Sequence, residues 1–447
     1  MRVLIVGAGL AGLVAGDRLR RSGAAVTVLE ARDRVGGRTH GIEVAPGAWA
    51  DAGAAYLGDR HTELLALLAE HDLKTTPTST EGASRFELGP AADGPLTRPG
   101  RFPPLNAVAL GELFDRLADL TSLVDVAEPW HTPGASDLDG TTAAEWAEAN
   151  LRHPDARVFF PLFLGEMMAA DPADISVLHM AFYLRSGGGL RYLNAFEGGA
   201  QEYRVDGGAH RLCERLAAGL DVRLGSVVTA VHQDAAGVRI RTEDGGAFEA
   251  DRAVVAVPPV LADGIDFAPG LPATRSTSRT APGCAVKVHL VYPGPAWRDE
   301  GLSGWSVNAR GPLLSTVDDS PADSATGARV GVLTGFVTGA EAHHFSALPP
   351  GEQRDRARAQ ARRLYPGLPE PVAVHVTDWI ADPHARGCYA ALFGPGDWLR
   401  LGPRLTAAHG RVHWAGTETS TEFFGLMEGA IRSGRRAAAD ILNQPGA

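Results

Sequence analysis

Arg2-Val3-Leu4-Ile5-Val6 opens the chain and runs into Gly7-Ala8-Gly9-Leu10-Ala11-Gly12. A second apolar run, Ala25–Leu29, ends in Glu30. The first run is short and continuously apolar, the pattern of a strand buried in a parallel sheet. From Leu13 to Arg21 the period is helical. Strand, glycine turn, helix and strand, with an acid 23 residues after the first glycine, read as a dinucleotide-binding βαβ unit. In that unit Gly7 makes the turn, Gly9 lets backbone approach a pyrophosphate, and Gly12 allows close packing of helix on strand. The helix N-terminus offers N–H groups and positive dipole to phosphates. Glu30 is placed to accept hydrogen bonds from the hydroxyls of an adenosine ribose.

Working outward, 447 residues with 45% hydrophobic and 21% charged side chains make a globular protein of two or three domains. The 42 basic and 53 acidic residues leave a formal net charge of −11, without a dense basic tract, so nucleic acid is not the expected partner. No apolar run approaches a membrane span. Cys213, Cys284 and Cys388 are too few and too scattered for a disulfide framework or a zinc site, and no metal is expected. With the first strand starting at residue 2, no signal peptide is expected, and a soluble cytoplasmic protein is the reading. Of the basic residues only Lys74 and Lys287 are lysines. In such an arginine-biased chain, a lysine is more apt to be present for its own chemistry.

Further along, residues 76–104 are rich in Pro, Gly, Ser and Thr and read as irregular connection. Helical periods cover Val108–Val126, Thr142–Leu151 with Thr141 or Thr142 as N-cap, and 155–186 broken near Pro172. Strands are expected at Asp221–Leu224, Val227–His232, Val238–Thr242, Arg252–Val257, Ala285–Val291 and Val412–Ala415, and a last helix from about Gly425 to Leu442.

After the second strand the chain reads Glu30-Ala31-Arg32-Asp33-Arg34-Val35-Gly36-Gly37-Arg38-Thr39. Two glycines before an arginine make a second anion-binding turn, with Arg38 able to fork onto a phosphate. Here the sequence resembles the flavin-containing amine oxidases, the family of monoamine and polyamine oxidases. Matching blocks recur at Asp51–Leu57, Gln201–Gly208, Val254–Pro259, Gly283–Val288, Asp378–Tyr389 and His413–Ala430, while 76–160 match poorly. The resemblance implies an α/β fold: a Rossmann-type FAD-binding domain (1–75, 200–275 and 383–447) interleaved with an α+β substrate domain (76–199 and 276–382), with a homodimer left open. It implies FAD as cofactor, small amines or amides as substrates, and O2 as the oxidant.

Carried over by position, Ala11, Glu30, Arg32, Gly37 and Arg38 contact the ADP part of FAD, and Val228 meets the adenine through its backbone. Thr417 and Glu418 lie by the ribityl–phosphate chain. Met427 offers its N–H to the flavin carbonyl. Lys287, in an apolar strand, holds a water against flavin N5. Cys388, in Gly387-Cys388-Tyr389, matches the cysteine that is thioether-linked to flavin in monoamine oxidases; several relatives lack the bond, so attachment stays open. Tyr389 matches one wall of the aromatic cage around the substrate nitrogen. The second cage tyrosine is replaced by Leu426, behind Phe423 and Phe424. Glu63, Glu166, Tyr183 and Gln201 match positions in or near the substrate cavity. A carboxylate at Glu63 or Glu166 can bind a cationic group or act as a base. The function expected is removal of hydride from a carbon next to an amine nitrogen, giving an imine and, through O2, H2O2. Alternatives are a natural-product tailoring oxidase acting on a secondary amine or amide, a related flavin desaturase, and a non-catalytic flavin-binding protein.

Overall fold

The computed structural model describes residues 1–89, 94–277, 280–321 and 329–444. Its first sheet is all parallel, in the spatial order Asp221–Arg223, Ala25–Leu29, Arg2–Val6, Arg252–Val255, Val412–Trp414. The opening strand sits at the centre, with Val6 opposite Leu29 on one side and Val255 on the other. Val3 to Val6 are all buried. Each buried apolar side chain contributes about 1.5–3 kcal/mol, against about 1–2 kcal/mol of backbone entropy per ordered residue. Burial on both faces therefore holds the strand.

The helix after the glycine turn spans Leu10–Arg21, three residues earlier than the apolar period suggests, with Gly9 as its N-cap. Two close approaches seat it. A Cβ on Gly12 would lie 2.0 Å from the Gly7 carbonyl oxygen, and one on Gly434 would lie 2.3 Å from that of Ala11. The helix thus presses on its own strand turn below and on the C-terminal helix, Met427–Leu442, above. That last helix starts two residues later than expected, because Gly425 turns the chain at φ +82° and Leu426 is the N-cap.

A four-stranded sheet (Ala247–Ala250, Val238–Thr242, Val228–Gln233, Asp266–Ala268) packs under the first. The third large sheet has seven strands, in the order Ala373–Asp378, Ala285–Tyr292, Gly331–Thr338, Ser315–Asp318, Leu302–Asn308, Ala83–Glu87, Leu96–Pro99. All eight residues of Ala285–Tyr292 are buried, because the strand is central and covered on both faces. Alternation then splits them: Val286, Val288, Leu290 and Tyr292 enter a core that also holds Ala357, Ala361 and Leu364 of helix Pro350–Leu364. Lys287 and His289 take the opposite face, where both ring and ammonium nitrogens meet the Asp51 carbonyl oxygen.

The expectation of a loop over 76–104 fails. Ala83–Glu87 and Leu96–Pro99 are strands, and Thr75–Pro77 is a third; residues 90–93 lie outside the described residues. One pairing is local, Ala83–Glu87 lying antiparallel to Leu96–Pro99, but the pairing that joins them to the sheet is remote: Ala83–Glu87 runs parallel to Leu302–Asn308. Polar residues at core positions hide the pattern, since buried Glu87 is met there by Arg310 and Arg363. Helices Ala107–Ser122, Ala143–Asn150, Pro154–Met168 and Val177–Ser186 form a layer with its own core. Thr142 caps the second through a reciprocal pair with Glu145. Residues 391–405, which the resemblance puts with the flavin-binding segments, send Leu392, Phe393, Trp398 and Leu401 into this helical core.

Gly12→Ala is expected to lower the melting temperature by about 1–3 °C, because the new methyl must displace backbone at a cost of about 1–3 kcal/mol. Gly111→Ala, in an exposed stretch of helix where a Cβ meets nothing within 4 Å, is expected to raise stability by up to about 1 kcal/mol. Differential scanning calorimetry of the two variants checks both signs.

Candidate functional site

A cavity of about 510 Å³ runs from the glycine turn to the seven-stranded sheet. At its first end it is lined by Gly7, Gly9, Ala11, Glu30, Arg32, Gly37, Arg38 and Val228. A Cβ built on Gly9 meets no protein atom within 4 Å; this is room into which backbone can approach a ligand. Gly12 does not line the cavity, and its part is the helix–strand contact alone. Buried Glu30 is fixed by two backbone donors: Ala8 N–H gives to Oε2 at 2.7 Å and Arg32 N–H gives to Oε1 at 2.9 Å. Each oxygen keeps a further lone pair for a hydroxyl. Arg32 is anchored by Asp382 at 2.6 Å.

Arg38 departs from the sequence expectation. Its fork closes on Glu418, at 2.7 and 3.1 Å, and Nη1 also donates to the Tyr389 carbonyl at 2.9 Å. The phosphate role read for that fork is filled internally by a carboxylate. Burial acts against both charges, but each partner outweighs it, so Arg38 is held more basic and Glu418 more acidic than usual. Glu418 therefore stands behind the cavity wall as the partner of Arg38, while Thr417 and Met427 line it. Thr417 Oγ1 donates to the Leu426 carbonyl at 3.0 Å, which ties the turn to the start of the last helix.

At the far end, Lys287 Nζ donates to the carbonyl oxygens of Asp51 (2.6 Å) and Gly53 (3.0 Å). An ammonium has three donors, so one is left for the cavity that Lys287 lines. The rings of Phe336 and Tyr56 lie 5.3 and 5.8 Å from Nζ. Tyr389 lines the cavity after a cis peptide from buried Cys388. Facing the Leu426 side is Tyr183 of helix Val177–Ser186. A Cβ on Gly425 would meet the Tyr183 ring edge at 3.0 Å. An aromatic ring from a different helix thus stands beside position 426. Gln201 also lines the cavity and donates to the Leu193 carbonyl.

Glu63 does not join them. It sits on helix Thr62–Glu70 and pairs with Arg435 of the C-terminal helix, outside the cavity wall. Glu166 does join: what protein leaves uncovered of it faces the cavity, and its Oε2 accepts from Ser315 Oγ at 2.6 Å. Tyr56, Phe336, Trp379 and Asp319 belong to the same region without having been singled out from the sequence. Tyr56 lies within a matched block, but no local pattern says that it, among its neighbours, faces inward. Among the described residues no group of three or more His, Cys, Asp or Glu could hold a metal ion.

The family model for flavin containing amine oxidoreductases matches residues 10–442. The chain belongs to that family. It is 32% identical over 452 residues to the probable flavin-containing monoamine oxidase A of Dictyostelium discoideum, covering 99% of this chain and 97% of that one. It is likewise 32% identical over 462 residues to an L-amino acid dehydrogenase of Synechocystis, covering 98% and 94%. Among solved structures, putrescine oxidase bound to putrescine superposes with a TM-score of 0.90 at 31% identity, covering 99% of this chain and all of that one. The fold is that of the FAD-dependent amine oxidases, and the desaturase and tailoring-oxidase alternatives are not favoured.

The chain is thus a flavoprotein that oxidises small amines with FAD and O2. The residues present fit the cofactor: a bare backbone cradle at Gly9, an oriented carboxylate at Glu30, and one long cavity from there to Lys287. Around the Lys287 end of the cavity, burial sets the protonation states. It raises the Glu166 carboxyl to about 7, against the pull of the Ser315 hydrogen bond. Burial, helped by the Glu166 charge, pushes the Tyr389 phenol well up, so Tyr389 presents a neutral ring. Burial also pushes the Cys388 thiol up to about 12, opposed by the nearby Arg38 and Lys287 charges.

A carboxyl whose folded pKa is raised binds more protons in the folded than in the unfolded chain. The stability cost of Glu166 is then absent below its ordinary range near 4.5 and complete above about 7. Glu166→Gln is accordingly expected to stabilise the substrate-free holoenzyme by about 1–3 kcal/mol at pH 8 and to change little at pH 4.5. Denaturant unfolding at the two pH values checks the difference.

Proposed function

We propose that the chain is a cytoplasmic, H2O2-forming amine oxidase in which Lys287, Tyr389, Tyr183 and Glu166 receive the substrate at one end of the cavity and the opposite end holds the ADP part of FAD. The observation that carries this reading is the continuity of one cavity from the glycine cradle to the buried Lys287. Bound FAD supplies the redox chemistry, taking a hydride equivalent from the carbon beside the amine nitrogen and passing two electrons to O2. The chain's own residues bind, orient and keep water out. Tyr389 and Tyr183 offer aromatic faces to the amine, and a site this buried favours the neutral amine whose nitrogen lone pair assists loss of hydride. Lys287 places one donor and a positive charge where negative charge develops.

In this reading residues 1–75, 200–275 and 383–447 form the flavin-binding body, except that 391–405 pack with the helical layer, and 76–199 and 276–382 form the substrate body. Met427 offers its backbone N–H from the first turn of the C-terminal helix, whose dipole favours negative charge. Glu30, Arg32, Gly37 and Val228 hold the ADP moiety, while Arg38, closed on Glu418, shapes the wall beside it. Glu166 is the anionic end of the substrate pocket and suits an amine that carries a second cationic group; among the described residues no cation neutralises it. No described helix is long and apolar enough to cross a membrane, and the three cysteines are free and buried; both suit the cytoplasmic reading.

The test is anaerobic mixing of the yellow enzyme with monoamines, diamines and amino acids, followed by H2O2 release on readmitting air. Bleaching by an amine and near-stoichiometric H2O2 are expected. A flavin that no amine bleaches, or that reoxidises without H2O2, overturns the reading.

We also include a thioether from Cys388 to the flavin. Its buried thiol lines the cavity beside Tyr389 and close enough to Arg38 and Lys287 to feel both charges. After acid precipitation the yellow colour is expected to stay with the pellet in the wild type and to leave it in Cys388→Ala. Complete release from the wild type means that Cys388 only packs against the ring.

A further inference from the structure

Behind the wall that carries Lys287 lies a buried set of charges that the amine chemistry has not used. Asp319 is 2% exposed. Both its carboxylate oxygens accept from the Tyr56 hydroxyl, at 3.1 and 3.0 Å. Arg204 closes the other side: its Nη1 donates to the Asp319 carbonyl at 2.8 Å and lies 3.4 Å from Oδ1, and its Nη2 donates to the Ser320 carbonyl. Tyr56 and Arg204 are direct cross-strand neighbours, so one strand pair delivers both the donor and the cation to Asp319. The ring of Tyr56 in turn flanks Lys287 Nζ.

We propose that Asp319 is a positioning residue for this site: its carboxylate, fixed in place by Tyr56 and Arg204, is the counter-charge that keeps Lys287 an ammonium and holds it against the cavity wall. The inference rests on the reading of Lys287 as part of the amine-oxidising site, and it adds which residue maintains that cation.

Burial by itself pushes Lys287 toward the neutral amine. Its hydrogen-bond partners are two carbonyl oxygens, which are dipoles and cannot neutralise it. The acids that oppose burial are Asp319 first and Asp51 second. Asp51 is a poor counter-ion on three counts. Lysine meets its backbone oxygen, its Oδ1 is taken by the Ala209 N–H at 2.8 Å, and burial raises its carboxyl to about 7. Near neutral pH Asp51 is therefore only partly charged. The remaining groups facing Lys287 do not replace Asp319. Arg204 repels it, the Cys388 thiol is pushed up to about 12 by burial, and His289 is driven down to about 3 and so is neutral. The Phe336 ring adds only a cation–π contact. Arg204 bears on Asp319 through its backbone carbonyl as well as the carboxylate. It thereby fixes the acid in place while leaving the pair of Tyr56 contacts intact.

The composition of the chain makes the test direct. Lys74 and Lys287 are its only lysines, so the FAD holoenzyme labelled with [ε-13C]lysine gives two side-chain signals, Lys287 being the one lost in Lys287→Met. Exposed Lys74 serves as internal reference. In the wild type the Lys287 signal is expected at its ammonium position at pH 7. In Asp319→Asn its titration midpoint is expected to fall by about one unit or more, a tenfold or greater loss of proton affinity, and by less in Asp51→Asn. A Lys287 that is neutral at pH 7 in the wild type overturns the proposal without any Asp319 variant, and so serves even if Asp319→Asn fails to fold. A midpoint unmoved in folded, yellow Asp319→Asn overturns it too, as does a larger fall in Asp51→Asn. These readouts need no turnover. Failure of amine oxidation would show instead in the anaerobic bleaching experiment, so the two readings fail separately.

Discussion

Two contacts made without side chains set the frame: Gly12 against the Gly7 carbonyl and Gly434 against that of Ala11. They stack the opening strand turn, the first helix and the last helix at near-backbone distance. The start of the last helix depends on that stacking. With Met427 at its first position and Leu426 as its N-cap, the helix reaches the cavity from one side while the Gly7–Gly12 turn reaches it from the other. Elements more than 400 residues apart in sequence thus present free N–H groups to the same cavity. The parallel sheet below supplies the rigidity, since its central strand is buried on both faces.

Charge inside this frame is handled by pairing and by distance. Arg38 and Glu418 satisfy each other and brace the Tyr389 carbonyl and the Ala391 N–H, which locks the segment that carries Cys388 and Tyr389. Arg32 is anchored by Asp382 through one of its nitrogens and keeps its other donors for the cavity it lines. Glu166 and Lys287, at the sheet end of the cavity, have no direct charge partner among the described residues, and they carry opposite signs when ionised. Glu166 resolves its isolation by holding a proton up to about pH 7. Lys287 cannot do the equivalent without losing its charge, and so the arrangement of acids behind it matters. A buried charge costs several kcal/mol when unpaired, and a carboxylate braced by an arginine and a tyrosine is a rigid way of offsetting part of that cost.

The aromatic surround of the amine end shows how a local departure can be compensated elsewhere. Leu426 removes an aromatic wall from the segment before the last helix. Tyr183, from the helical layer, fills in along the Gly425 edge, and Tyr56 and Phe336 come from two further strands. Four aromatic rings from four chain segments enclose a space that the sequence motif alone would leave half-open. Under the function proposed, the substrate fits between them and a carboxyl that is half-protonated near neutrality, a different selection from that of a wholly apolar pocket.

The sequence by itself determined the nucleotide-binding unit, because every part of it is local. Apolar run, glycine spacing and acid lie within 30 residues, and the physics of strand burial, tight turns and helix N-termini acts at that range. The helix caps at Thr142 and the break near Pro172 were legible for the same reason, and the Arg32–Arg38 motif with the Gly387-Cys388-Tyr389 match pointed to flavin and amine. The tertiary structure decided everything that depends on remote partners. It gave the Arg38 fork to Glu418, turned Glu63 outward to Arg435, and turned Glu166 inward to the cavity. Within 76–104 it also made strands, because the edge of Ala83–Glu87 that joins the sheet pairs with residues more than 200 positions away. Whether a carboxylate faces solvent, an arginine or a cavity is set by which helix packs against its own, and no local period encodes that.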